Sequence, residues 1–154
     1  METEQPGPSA RAEVEVAVSP AVAFRAFTEE IDQWWVPGPI NFFDAGRATG
    51  MRIEPGVGGR VLETYGADDP LVIATVTAWV PGERLTLRGV VDDTETHILF
   101  EPTVTGTRVR VHQFLLPDGQ RAFLFWPNVI GWLVPHLGSA VPLAPAARQQ
   151  GDTS

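Results

Sequence analysis

Between residues 50 and 116 the chain alternates strand-length segments with turn-length ones, and this rhythm limits the possible folds more than any other feature. Strand-like runs fall near 51–54, 59–65, 71–80, 84–90, 94–101 and 107–116. Between them stand Pro55-Gly56, Asp68-Asp69-Pro70, Pro81-Gly82, Asp92-Asp93 and Thr105-Gly106, all turn-forming residues. Connections this short join antiparallel neighbours, because a parallel pair needs a crossover of about a dozen residues or more. The expectation is an antiparallel meander.

The flanking segments are different. Val14, Val16 and Val18 alternate with Glu13 and Glu15, the mark of a half-buried strand. Ser19-Pro20 reads as N-cap and first helical position, and Val22, Ala23, Phe24 and Phe27 give that helix an apolar side. Thr28, Glu30 and Ile31 read as the restart of a second short helix carrying Trp34 and Trp35 until Pro37-Gly38. Residues 38–50 form a loop that holds Phe42 and Phe43. After the turn Pro117-Asp118-Gly119, the residues Phe125 or Trp126, Val129, Ile130, Leu133 and Leu137 recur at helical spacing. Gly138 suits the cap, and Pro135 should kink or loosen the last turn. One antiparallel sheet with helices on a single face is an α+β layer fold.

Strand parity assigns faces. Thr107, Val109, Val111, Gln113 and Leu115 share one side of their strand, and Arg108, Arg110 and His112 the other. Thr96, Ile98 and Phe100 oppose Glu95, His97 and Glu101, while Leu85 and Leu87 oppose Arg84 and Arg88. The outer face is then a lattice of Arg, Glu and His. The inner face is apolar with three polar exceptions: Thr96, Gln113 and, between Val61 and Tyr65, Glu63. A carboxylate facing inward is costly unless it is paired, hydrogen-bonded or wet. Either Glu63 touches solvent or an arginine near a strand end, or the inner face lines a cavity where polar groups converge on a ligand.

Composition excludes several chemistries. Cysteine and lysine are absent, which removes disulfides, thiol nucleophiles, Schiff bases and a phosphate-loop lysine. A net charge of −8 with scattered arginines argues against nucleic acid or an anionic membrane as partner. No apolar run approaches the roughly 18 residues of a membrane span, and the acidic start does not read as a signal peptide, so a cytoplasmic location is expected. No G-x-S-x-G elbow occurs, and PGVGGR at 55–60 enters a strand rather than a helix. His97, His112 and His136 show no metal-ligand spacing, and neither metal nor cofactor is expected. The remaining acid–base candidate is Glu63, with Tyr65, Thr96 or Gln113 beside it.

VSPAVAFRAFTEEIDQWW (18–35), EPGVGGRVLETY (54–65), VTAWVPGERLTLRG (76–89), FEPTVTGTRVRVHQF (100–114) and WPNVIGWLVPHL (126–137) occur in this order. In order and spacing they resemble the START-like SRPBCC superfamily, and within it the branch named for the C-terminal domain of a heat-shock chaperone ATPase activator. The resemblance spans about 10–138. It implies the helix-grip fold, a curved antiparallel sheet around a C-terminal helix with a cavity between. The chain departs from that pattern at Pro135, in its short terminal helix and in the FLFW stretch before it.

One domain is therefore expected over 11–139, with disordered ends at 1–10 and 140–154. The leading functional expectation is non-catalytic binding of a small apolar or aromatic molecule. Trp34, Trp35, Phe42, Phe43, Trp79, Phe125, Val129, Ile130 and Leu133 would supply contact area, and Glu63, Tyr65, Thr96 and Gln113 would orient the ligand. One tryptophan of the pair should pack under the first helices while its neighbour stands at the cavity mouth, or both are core. The alternatives are a polyketide cyclase/aromatase-type or hydration enzyme using Glu63, and a chaperone-associated interaction module. A homodimer through edge strands or the aromatic loop is a further expectation.

Overall fold

The structure, a computed structural model, describes residues 8–35, 42–44 and 46–138. The strands are β1 (Ser9–Val16), β2 (Gly50–Ile53), β3 (Arg60–Tyr65), β4 (Asp68–Val80), β5 (Arg84–Gly89), β6 (Thr94–Pro102) and β7 (Thr107–Leu115). They form one seven-stranded antiparallel sheet in the order β1-β7-β6-β5-β4-β3-β2. Six strands follow as a meander, and β1 returns from the chain start to pair with β7, Val14 opposite Val109. The sheet curls into a half-barrel, and short helices fill its hollow side.

α1 (Pro20–Glu29) starts where the sequence places it: Ser19 Oγ accepts from the Val22 N–H, and proline takes the first helical position. Its apolar stripe of Ala23, Phe24, Ala26 and Phe27 lies against the sheet. Phe27 is wholly buried, with Trp34, Phe100 and Trp126 rings 5.4–6.0 Å away. Burying one such ring is worth about 1.5–3 kcal/mol. Thr28 lies in the last turn of α1, not at a restart, because its hydroxyl donates back to the Phe24 carbonyl at 2.9 Å. α2 (Ile31–Trp34) follows after one residue.

Two further expectations are corrected. Asp68, Asp69 and Pro70 belong to β4, and the turn is Gly66-Ala67, with Gly66 at φ +68°. Pro70 is tolerated there because β5 pairs with β4 only from Ala74 onward, leaving that edge of β4 without the partner its missing N–H would serve. At the chain start, Ser9 and Ala10 are paired opposite Phe114 and Gln113, so β1 begins before residue 11 and ends at Val16, short of Val18. Of the expected tails at 1–10 and 140–154, residues 1–7 and 140–154 lie outside the described residues, as do Pro37-Gly38.

The terminal helix is broken into α3 (Trp126–Val129), a 3₁₀ turn over Ile130–Trp132, and α4 (Leu133–Leu137). Pro135 has no N–H to donate to the Gly131 carbonyl, which removes the bond that would carry an α-helix through this stretch. Gly138 ends it at φ +84°, its N–H returning to the Val134 carbonyl at 2.7 Å.

Candidate functional site

Between the sheet and this broken helix there is a void of only about 10 Å³. That is roughly the room one water needs, not a ligand. The expected cavity is thus filled, and the filling is aromatic. Phe43, Phe125 and Trp126 close over a sheet wall made by Ile73, Ala74, Leu87 and the polar Thr94, Thr96 and Gln113, with Asp92 at its margin.

Parity placed Glu63, Thr96 and Gln113 inward, and all three are buried. Gln113 is fully employed: Nε2 donates to the Phe123 carbonyl at 3.0 Å, and Oε1 accepts from the Trp126 N–H at 2.9 Å. It therefore ties β7 to the entry of α3. Glu63 is equally occupied. Oε1 accepts from the Phe43 N–H at 2.7 Å, and Oε2 from the Asp44 N–H at 2.8 Å and the Tyr65 hydroxyl at 2.6 Å. Burial and then the Glu63 carboxylate keep the Tyr65 hydroxyl well above the usual phenol range, so it stays a donor. Arg47 covers that ring, 4.6 Å from its centre, and pairs with Asp44 and Asp68. The result is a clasp on the Phe43 segment.

A second cover runs from β7 to α3 without regular structure, residues 116–125, and carries Phe123 and Phe125. Asp92 and Asp93, which read as turn formers in the sequence, hold it. Asp92 Oδ2 accepts from the Phe123 N–H at 2.8 Å, and Oδ1 from the Thr94 hydroxyl. Asp93 Oδ2 accepts from the Gln120 and Arg121 N–H groups at 2.8 and 2.9 Å. Gly89 makes room for Asp92, whose carboxylate a Cβ at that position would strike. The local pattern gave no sign of these roles because the partners lie some 30 residues further on.

The two N–H bonds hold the Asp93 carboxyl below its usual 3.8. A depressed carboxylate stabilises the fold fully above its unfolded value and loses that contribution as pH falls through the folded one. Carbon-detected titration should show Asp93 turning over below 3.8, with the Gln120 and Arg121 amide signals moving in step. A midpoint at or above that value would mean the strap is not held there.

Trp34 packs under Phe27 and its Nε1 donates to the Ala26 carbonyl at 3.0 Å. Trp35 does not stand at an open mouth. It is 5% exposed, among the rings of Phe42, Phe125, Trp126 and Trp132 at 5.2–6.2 Å. Its buried Nε1 has no partner among the described residues. Of the other candidates, Phe43, Thr96, Gln113 and Phe125 border the void, while Glu63 and Tyr65 sit behind Phe43. Trp79 packs edge-on to Phe24, away from it, and Val129, Ile130 and Leu133 are core. His97 and His112 are cross-strand partners on the outer face, and His136 bonds Glu30. Among the described residues no group of three His, Asp or Glu could hold a metal ion.

A curled sheet gripping a C-terminal helix decides the architecture. It is helix-grip-like. The chain is similar in structure to protein NE0264 from Nitrosomonas europaea, at 18% identity and a TM-score of 0.55, over 81% of this chain and 90% of that one. It is also similar to protein MLL2253 from Mesorhizobium loti, at 20% identity and 0.57, over 82% and 93%. A third likeness is to DynU16, described as a protein in the dynemicin biosynthetic locus, at 18% identity and 0.60. That match covers 89% of this chain but 49% of DynU16, about half its length. At these identities the likeness speaks for the helix-grip-like fold alone. No protein-family model matches the chain, and no curated protein matches it. Among the described residues no helix is long and apolar enough to cross a membrane.

Proposed function

We propose that the protein binds a small, largely apolar molecule with an aromatic body at the inner face of the sheet, beneath Phe43 and the 116–125 strap, and catalyses no reaction on it. The observation that supports this most is the make-up of the void: polar side chains on its strand wall, and as its cover the rings of Phe43 and Phe125 on irregular chain with Trp126 of α3. Ligand pockets are commonly about 300–1,000 Å³, so the rings must swing out. Phe43 and Phe125 are mounted on irregular chain, a loop held by Glu63 and a strap held by the Asp92 and Asp93 carboxylates and two Asp93 backbone bonds, with no continuous ladder.

The unpartnered Trp35 indole N–H sharpens the ligand class. A buried donor without an acceptor costs about 1–3 kcal/mol. Phe125 borders both this indole and the void, as Trp126 does. A ligand that displaces Phe125 and offers a carbonyl, ether or phenol oxygen would relieve the N–H. Kinship with the START-like superfamily and its chaperone-activator branch belongs to this reading and rests on the order of the sequence motifs.

Against an enzyme, Glu63 spends both oxygens on the clasp and does not border the void, and Asp92 spends one oxygen on the strap and the other on the Thr94 hydroxyl. Against an interaction module, the exposed large hydrophobics among the described residues are Val22, Val57, Val90, Leu99 and Val104, scattered over separate elements.

Native mass spectrometry of the protein purified without denaturant, followed by tryptophan-fluorescence titration with 2-naphthol, tests the proposal. A co-purified small molecule, or saturable quenching with a dissociation constant on the order of 10 μM, is expected. An empty protein with no saturable quenching sinks the binding reading, and co-purification with a chaperone instead would replace it.

A further inference from the structure

The outer face of β1, β7 and β6 is built in cross-strand rows: Ser9·Phe114·Glu95, Arg11·His112·His97, Glu13·Arg110·Leu99 and Glu15·Arg108·Glu101. Three of these four rows contain a carboxylate, and their arginines use them. Arg108 pairs with Glu15 at 2.9 Å, and Arg110 with Glu13 and Glu101 at 3.4 and 3.3 Å. The second row holds Arg11, His112 and His97 and no acid. Groups of one sign directly opposite each other on a sheet face destabilise it. His97 reaches into the next row for Glu95, at 2.6 Å. Among the described residues Arg11 has no ion pair, and the buried His112 Nε2 has no hydrogen-bond partner.

These same groups surround a groove of about 350 Å³, lined by Arg11, Glu13, His97, Leu99, Arg110 and His112. It lies on the opposite side of the sheet from the aromatic cover, shares no residue with it, and does not depend on the inner-face proposal.

We infer that this groove is a binding site for a small organic monocarboxylate, its oxygens held by the Arg11 guanidinium and, once the His112 ring turns toward the groove, by the imidazole N–H, with its body lying against Leu99. The Arg11 and His112 side chains are directly opposed across the β1–β7 ladder, so one carboxylate reaches both. The guanidinium fork matches a carboxylate edge in a way a point charge does not. The Phe114 ring lies 4.9 Å from the His112 imidazole and meets the His97 ring edge-on at 5.4 Å. The groove is too large for a bare ion and has an apolar wall in Leu99, which is 36% exposed. Glu13 and Glu95 flank the row and disfavour a dianion, which sets a monocarboxylate above phosphate.

Binding is also proton-linked. The groups facing His112 are Arg11 and Glu13 on β1, Glu95 and His97 on β6, and Arg110 and Phe114 on β7. Burial, then Arg11 and His97, hold the His112 imidazole below its usual 6.5. A bound carboxylate sets a negative charge beside the imidazole and offsets the neighbouring Arg11, so His112 takes up a proton on binding and affinity rises as pH falls.

Benzoate and inorganic phosphate, titrated separately against histidine-ring NMR signals of the full chain, provide the test. Benzoate should move the His112 and His97 signals saturably, with a dissociation constant on the order of 1 mM, and leave His136 in place. The His112 pKa should rise at saturation, and phosphate should bind more weakly. Arg11→Gln, an exposed change on an edge strand, should weaken benzoate about tenfold with the His136 signal unmoved, showing an intact fold. The inference is overturned by the absence of saturation at His112 up to about 100 mM benzoate. It is equally overturned by parallel shifts at His136, by phosphate binding as tightly as benzoate, or by an Arg11→Gln protein that binds benzoate unchanged.

Discussion

Replacing Glu63 with glutamine should lower the unfolding free energy by about 3 kcal/mol, read as a fall in the urea midpoint at unchanged slope. The side chain is wholly buried and receives donors from the Phe43 and Asp44 amides and the Tyr65 hydroxyl. Glutamine keeps the shape but replaces one acceptor oxygen with an NH₂, so a backbone N–H that met a carboxylate now meets a donor. Hydrogen bonds to a charged acceptor are worth about 1.5–3 kcal/mol each, and a stranded buried donor adds its desolvation cost. Tyr65→Phe removes one donor and leaves the carboxylate its two amides, so its cost should be about 1 kcal/mol. The ratio of the two losses matters because it separates an anchor from an acid–base group. A catalytic carboxylate in a cavity is commonly a source of strain, and its amide variant folds as well as the parent or better. A Glu63→Gln protein within about 0.5 kcal/mol of the parent would therefore remove the clasp and return Glu63 to the list of reactive groups.

The frame of the fold was legible because its signals are local. Parity in Thr94–Pro102 and Thr107–Leu115 sorts Thr96 and Gln113 from His97 and His112 without reference to any other segment. Ser19-Pro20 and Gly138 mark helix ends through bonds to residues three or four positions away. What those inward polar groups do was not legible, because their partners are backbone amides of distant, irregular chain. Gln113 meets Phe123 and Trp126, Glu63 meets Phe43 and Asp44, and a backbone N–H carries no side-chain signature. Asp92-Asp93 illustrates the difficulty. Its residue types are those of an ordinary turn, and the same acceptors that would serve a turn reach across to the strap instead. Fullness of the interior was hidden for a related reason. The FLFW stretch stood out as a departure in the sequence, yet only packing shows that Phe125 and Trp126 occupy the space a ligand would need. Thus the sequence showed the wall of the site, and the structure was needed for its cover.

Phe125→Ala should cost about 3–5 kcal/mol of stability, and an added aromatic should restore part of it. Phe125 is 2% exposed and its ring lies 4.9–5.9 Å from those of Trp35, Phe43, Phe123 and Trp126. Truncation removes a ring that touches both the Trp35 indole and the void, and merges the space it vacates with that void. The part of it lined by rings is apolar, and an apolar hollow takes up benzene-sized molecules. Indole or phenol at about 100 times its dissociation constant would raise the unfolding free energy by about 2.7 kcal/mol, visible as a ligand-dependent melting temperature. Phenol carries the acceptor that Trp35 Nε1 lacks and benzene does not, so phenol should stabilise the variant more than benzene at matched concentration. The wild-type ligand then discriminates two roles for the same ring. If Phe125 is only a cover, the variant binds that ligand more tightly than the parent, because the ring no longer has to be displaced. If Phe125 is also a contact surface in the open state, affinity falls although the hollow is larger. A variant destabilised as expected but stabilised by none of these compounds would show that the strap collapses into the space, and the inner face would then be core and nothing more.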